Sequence, residues 1–330
     1  MREEHMYVPI ERSSAFLRLW QVRKKERGIV LITHDIGEHS GRYHNFALFL
    51  MHHGYSVAAY DLRGHGFSAL HANAGSTVPA LRKAAAENPD FLYMPAKRGW
   101  EMYLNDFMSI LQYILFRYKA GQNFIFGQGI GSTIVSIALS ILPEETFHRL
   151  SGIVFASPPS IRNGKNHSIL QRTHAEIKKH GDRAFSPRIE KLMGRHYYRN
   201  IPSFTMRTEQ DWVSSDPDEV DNYISDPMCE TTLRLGLYKT ILEGQHLLYS
   251  RKYRPPAKSL PMYMCAGRDD PLGALGKGAE QLREVFQKSG WEDIELRQYN
   301  GRHALLHDRD RVSVYADCLN WIEEVNSSSG

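Results

Sequence analysis

Through the first half of the chain, short runs of β-branched and aromatic residues alternate with amphipathic stretches, and that rhythm predicts a mostly parallel sheet covered by helices. Gly28-Ile29-Val30-Leu31-Ile32-Thr33-His34 is apolar at consecutive positions, so both faces of the strand it predicts are buried, as in a central strand. Tyr55 to Asp61, Asn123 to Gly127 and Ser151 to Ala156 repeat the pattern. Tyr43 to His53 and Ser132 to Leu142 predict the intervening helices. From Pro158-Pro159 to Pro255-Pro256 the texture changes to polar helical fragments with no core strand. After Pro261 the rhythm resumes with a strand over Met262 to Ala266, a helix near Ala274 to Ser289, a strand over Ile294 to Tyr299 and a helix near Arg309 to Val325. One domain interrupted by an insertion accounts for this better than two domains in tandem. A shorter stretch, His71 to Lys97, shows no strong period and reads as a surface excursion. Ser327 to Gly330 reads as a frayed tail.

Composition narrows the picture. In 330 residues, 42% hydrophobic and 24% charged, there is enough apolar material for one large core, which excludes disordered and small disulfide-stapled classes. A formal charge of +4 and a single basic cluster, Arg23 to Arg27, interrupted by Glu26, give no footprint for nucleic acid. The three cysteines, Cys229, Cys265 and Cys318, are far apart and form no CxxC pair. The acidic start, Met1-Arg2-Glu3-Glu4-His5, does not resemble a signal peptide, and the apolar stretches fall short of the roughly 20 residues that span a bilayer. The expectation is a soluble, cytoplasmic protein.

The candidate chemistry lies just after predicted strands, where an open parallel sheet places its functional loops. These stretches are His34-Asp35-Ile36-Gly37-Glu38-His39-Ser40-Gly41-Arg42-Tyr43, Asp61-Leu62-Arg63-Gly64-His65-Gly66, Gly127-Gln128-Gly129-Ile130-Gly131, Gly267-Arg268-Asp269-Asp270-Pro271-Leu272 and Gly301-Arg302-His303-Ala304. The three glycines of the third stretch do not fit a dinucleotide-binding turn, whose third glycine would fall at Ser132. His34, Glu38 and His39 lack the spacing of a helical zinc site, and no cofactor or metal set is expected.

Taken in order, these motifs resemble the α/β-hydrolase superfamily, and within it the monoacylglycerol lipase and lysophospholipase group related to serine aminopeptidases S33. Asp211 to Pro217 and Asp226-Pro227-Met228-Cys229 resemble that group's cap. The resemblance implies an α/β-hydrolase core over residues 1–159 and 256–330, with a helical cap inserted over 160–255. It assigns Asp270 as the acid, His303 as the base, and Asp35, Ile36 and Ile130 to the oxyanion-hole region.

At the nucleophile position the resemblance places Gly129, where the family has serine, and glycine offers no oxygen for a covalent ester. Asp35 stands where the family has glycine, Gln128 where it has histidine, and Ala304 where it has glutamate. A laboratory Ser→Gly change would account for Gly129 alone, so several departures around one site favour a natural pseudo-hydrolase. Ser132, one turn into the next helix, reads as a packing residue. Asp35 reads poorly as a substitute nucleophile because its loop faces the oxyanion. Asp61, Arg63 and His65 read as loop architecture. The functional expectation is a protein that binds an acyl or lipid-like ligand in an apolar pocket near Gly129, Asp35, Asp270 and His303, or acts through a protein partner. The alternative is an active carboxylic-ester hydrolase using water activated by His303 and Asp270, or an atypical nucleophile.

Overall fold

The computed structural model describes residues 2–71, 75–118, 121–160, 163–198, 206–250, 252–256 and 260–328. Among them, eight strands form one sheet: β1 (Arg2–Ile10), β2 (Ser13–Gln21), β3 (Gly28–Thr33), β4 (Tyr55–Tyr60), β5 (Gln122–Gln128), β6 (Gly152–Ala156), β7 (Met262–Gly267) and β8 (Ile294–Tyr299). Their order across the sheet is β1-β2-β4-β3-β5-β6-β7-β8. β1 and β2 run antiparallel, and the strands from β4 to β8 are parallel. This is the α/β-hydrolase architecture that the motif order implied.

The helices are α1 (His44–His52), α2 (Gly66–Leu70), α3 (Val78–Glu87), α4 (Gly99–Arg117), α5 (Ile130–Leu139), α6 (Glu144–Phe147), α7 (Asn163–His180), α8 (Pro187–Tyr198), α9 (Pro217–Ser225), α10 (Leu235–Leu248), α11 (Lys277–Gln287) and α12 (Arg311–Ser328). Alternate residues of β3 feed opposite faces of the sheet. Ile29 and Leu31 enter a core with α4, α5 and α11, whereas Val30 and Ile32 enter a core with α1 and α12. In α4, Trp100, Tyr103, Phe107, Ile110, Leu111 and Ile114 recur at helical spacing and are buried. Each is worth roughly 1.5–3 kcal/mol of transfer free energy, which explains why that helix forms.

The structure departs from the sequence reading at the margins. The β1–β2 hairpin was not anticipated: β1 is an edge strand that begins with the exposed residues Arg2, Glu3 and His5, so its apolar signal is weak. The stretch from His71 to Lys97 contains α3, with the Thr77 side chain accepting from the Ala80 amide at its N-terminus; residues 72–74 lie outside the described residues. The tail is helical through Ser328, and residues 329–330 lie outside the described residues. Between β6 and β7 the described residues hold α7 to α10 and no strand. No helix among the described residues is long and apolar enough to cross a membrane.

Strand order fixes where the site forms. The chain passes from β3 to β4 on one side and then to β5 on the other, so the loops after β3 and β5 diverge over a crevice at the carboxyl end of the sheet. Thr33 pairs with Gly127 in the parallel ladder. Two residues beyond that pair, in the loops past the ends of these neighbouring strands, stand Asp35 and Gly129. At the same end, Gly267 pairs with Tyr299, which brings the loops bearing Asp270 and His303 together.

Candidate active site

Gly129 occupies a sharp turn between β5 and α5, with φ +51° and ψ −120°, a conformation that residues with a Cβ adopt only under strain. Its neighbour Gly131 lies so close to β3 that a Cβ there would run into the Thr33 carbonyl. An ideal Cβ built on Gly129 would fall inside the carboxylate of Asp35. The side chain from the β3 loop therefore fills the volume that a side chain at residue 129 would need.

Asp35 reaches that volume because the surrounding loop is tied down. Its amide donates to Glu38 Oε1 at 3.0 Å, and Glu38 in turn accepts from the Tyr43 hydroxyl at 2.6 Å and from Arg42 Nε at 3.1 Å. Burial raises the Glu38 carboxyl, but the Arg42 guanidinium and its other partners outweigh this and hold it below the usual carboxylate range. His34 bridges two loops, contacting the Asp35 carbonyl through Nδ1 at 2.6 Å and accepting from the Leu62 amide through Nε2 at 2.8 Å. Asp35 Oδ1 then accepts from the Ile130 amide at 2.7 Å, and Asp35 Oδ2 lies 2.7 Å from His303 Nε2. The oxyanion loop was expected to face only the oxyanion. In the structure its carboxylate takes both the Ile130 N–H and the imidazole face directed at residue 129.

His303 Nδ1 lies 3.0 and 3.1 Å from the two oxygens of Asp270, whose Oδ1 also accepts from the Leu272 amide at 2.9 Å. Burial alone would push the imidazole down. The Asp270 carboxylate, through its charge and hydrogen bond, and Asp35 after it, instead hold His303 well above the ordinary histidine range. The imidazole is thus clamped between two carboxylates that favour its protonated form. Gln128 Nε2 donates to the His303 carbonyl at 3.2 Å, and the His303 and Ala304 amides donate to the Trp212 and Val213 carbonyls at 3.3 and 2.7 Å. Ala304 packs with Trp212, Val213, Tyr223 and Cys229, so this loop is joined to the segment before α9.

A cavity of about 740 Å³ opens above this floor. Asp35, Ile36, Gly129, Ile130 and His303 line it, with Met193, Leu233, Ile241, Leu242 and Leu272 among the apolar walls and Glu190, Lys191, Glu209 and Glu230 among the charged residues. Asp270, expected beside the pocket, does not line it. It is fully buried behind His303.

Other candidate residues have structural partners. Ser132 is fully buried and its hydroxyl donates to the Gly129 carbonyl at 2.5 Å, as a packing residue would. Asp61 accepts from the Ser40 and Phe67 amides, and Arg63 forms a two-pronged pair with Asp106 at 2.7 and 2.8 Å. Among the described residues, His39, Asp226 and Cys229 are near enough to hold a metal ion. Their hydrogen bonds oppose this. His39 Nδ1 accepts from the Gly41 amide, leaving the proton on Nε2, which faces Asp226 Oδ2 at 2.9 Å. Burial also pushes the Cys229 thiol well above its usual range, away from the thiolate a metal requires.

Comparison with known proteins agrees with this architecture. The model of the serine aminopeptidase S33 family matches residues 24–310. The monoglyceride lipase of Mus musculus is 25% identical over 315 residues, covering 94% of this chain and 85% of that protein. A thermostable carboxyl esterase from Bacillus coagulans, solved with glycerol, superposes with a TM-score of 0.81 at 22% identity over 99% of both chains. A soluble variant of the Saccharomyces cerevisiae monoglyceride lipase, solved with a substrate analogue, superposes with a TM-score of 0.70 at 16% identity, covering 98% of this chain and 97% of that one. The chain therefore belongs to the serine aminopeptidase S33 family and carries its α/β-hydrolase fold.

Proposed function

We propose that this protein is a pseudo-hydrolase: a lipase-like scaffold without serine-ester catalysis that holds an acyl or lipid-like ligand in the cavity beneath helices α7, α8 and α10. The observation that carries the proposal is the double engagement of Asp35 with Ile130 N–H and His303 Nε2, in the space of a residue 129 side chain. By the resemblance, Gly129 is the position of the missing nucleophile, Asp270 and His303 are the remaining acid and base, and Asp35, Ile36 and Ile130 form the altered oxyanion region. Residues 160–255 act as the cap of a cytoplasmic protein, and its exposed face offers a place for a protein partner.

The second reading, an active ester hydrolase, draws on the intact Asp270–His303 pair and on a carboxylate facing the cavity. Chemistry weighs against it. Attack of Asp35 on an ester carbonyl would give an anhydride, which is more reactive than the ester consumed, and a carboxylate at the oxyanion position repels the charge that must develop there. Water activation would need a free imidazole lone pair at Nε2, where His303 is instead held as the cation.

The test combines a fluorophosphonate probe with turnover of p-nitrophenyl and monoacylglycerol esters, alongside native mass spectrometry of the purified protein. No labelling, no turnover and a co-purifying acyl lipid are expected. Turnover that disappears in His303→Ala would overturn the proposal in favour of the second reading.

A further inference from the structure

In a serine hydrolase the pocket floor must present hydrogen-bond donors, because the substrate oxygen becomes negative during acyl transfer. Here the polarity of that floor is reversed. The Ile130 amide and His303 Nε2 both point at Asp35, and each is consumed by one of its oxygens at 2.7 Å. A carboxylate oxygen has two lone-pair directions, so each Asp35 oxygen keeps acceptor capacity after these contacts. Asp35 itself lines the cavity. What a ligand meets at the floor is thus an acceptor carrying negative charge.

The charge balance points the same way. Two carboxylates, Asp35 and Asp270, flank the single His303 imidazole, and of the two it is Asp35 that lines the cavity. Among the described residues, the charged groups around the walls are Glu190, Glu209 and Glu230 with one cation, Lys191. Met193, Leu233, Ile241, Leu242 and Leu272 give the cavity an apolar side that suits a hydrocarbon chain, beside polar positions such as Asn166, Thr231 and Gln245.

Resting on the ligand-binding reading above, we propose that the cavity selects single-chain amphiphiles with a hydrogen-bond-donating head group, an alcohol or an ammonium, and rejects the carboxylate head of a fatty acid. The donor of the head group bonds to Asp35 and the chain lies along Leu233, Ile241 and Leu242. A carboxylate head would place acceptor against acceptor and charge against like charge. The site therefore disfavours the acid that an ester hydrolase of this fold releases.

The probes are dodecanol, dodecylamine and laurate, each below its micellar concentration at pH 7, with binding followed by calorimetry. The alcohol or the amine is expected to bind about ten-fold or more tightly than laurate, the usual consequence of leaving a buried polar group unpaired. In Asp35→Asn, which keeps the shape and removes the charge, laurate's disadvantage should shrink several-fold. Laurate binding as tightly as the other two would overturn this inference while leaving the ligand-binding reading in place. If none of the three binds, both fall.

Discussion

Asp35 Oδ2 and His303 Nε2 are 2.7 Å apart, and this contact changes what His303 can do. In a working triad the base is neutral at rest and its Nε2 lone pair accepts the nucleophile's proton. Here two carboxylates hold the ring as a cation, with Asp270 at Nδ1 and Asp35 at Nε2. The same contact that blocks general-base action becomes a buried ionic clamp joining the loops after β3, β7 and β8.

That clamp has a pH signature. The folded-state pKa of His303 is raised well above an unfolded value of about 6.5, so the clamp's contribution is complete below about pH 6.5 and is lost as pH rises through the folded value. In that upper window folding stability should fall by as much as about 1.4 kcal/mol per pH unit. Burial pushes His34 and His307 down and takes His65 to about 3, so these groups act oppositely and weaken the fold as pH falls below about 6.5. Urea denaturation between pH 5 and pH 9 should show a maximum near pH 6.5, with a shallower alkaline limb in Asp35→Asn. An alkaline limb that is flat in the wild type would remove the clamp from consideration.

The sheet and the loop positions were legible because β3 to β7 carry apolar runs and β8 alternates as Ile294-Glu295-Leu296-Arg297, each ending in a short polar motif. The hairpin β1–β2 was not, since an edge strand beginning Arg-Glu-Glu-His carries little apolar alternation. Nor was α3, where the Ala-rich run Ala84-Ala85-Ala86 has helix propensity but no strong apolar stripe. The reach of Asp35 was hidden for another reason. It depends on the pairing of Thr33 with Gly127, a long-range register that local patterns do not carry. A signal was present all the same: a residue larger than expected at 35 and one smaller than expected at 129, just past the ends of strands that the motif order makes neighbours.

The loop after β4 tests the structural reading of Asp61, Arg63 and His65. Arg63 clamps Asp106 of α4 with two hydrogen bonds and also donates to the Glu11 carbonyl. Burial raises the Asp106 carboxyl even with Arg63 beside it, so the pair's net contribution is smaller than the damage done by breaking it. Asp106→Ala should cost about 3–5 kcal/mol by stranding Arg63, and removing both partners should cost clearly less than the sum of the single changes. Strict additivity in a double-mutant cycle by urea denaturation would contradict the pairing.

Asp308 should behave as a positioning residue for His303. Its carboxylate accepts from the Arg302 amide at 2.7 Å and the Arg309 amide at 2.8 Å, and it also binds the amide and hydroxyl of Ser215. The Trp212 ring lies 5.5 Å from the His303 ring, so it reports on the same junction. Asp308→Ala is expected to cost about 1–3 kcal/mol, the range for buried groups left unpaired, and to raise the acrylamide quenching of Trp212. Asp308→Asn, which keeps an acceptor, should restore part of both. Unchanged quenching in the alanine variant would mean that the junction holds without this carboxylate.

If residue 129 is the nucleophile position, as proposed, placing a serine there takes two changes, because a side chain at 129 and the Asp35 carboxylate compete for one volume. Gly129→Ser alone would force a Cβ into a positive-φ turn at about 1–3 kcal/mol and drive it against the Asp35 carboxylate, which still occupies Ile130 N–H and His303 Nε2. That variant should be less stable than the wild type and inactive, since losing one oxyanion donor by itself costs about 10²–10³ in kcat. Asp35→Gly alone clears the space but supplies no hydroxyl, and should also be inactive. Only Asp35→Gly with Gly129→Ser gives a hydroxyl, a free amide and a base with an open Nε2. Turnover of p-nitrophenyl esters and fluorophosphonate labelling are expected in the double variant and should disappear when His303→Ala is added. Activity in Gly129→Ser by itself would show that Asp35 is not the obstacle. A folded but inert double variant would place part of the loss beyond these two positions, with Gln128 and Ala304 the next residues to revert.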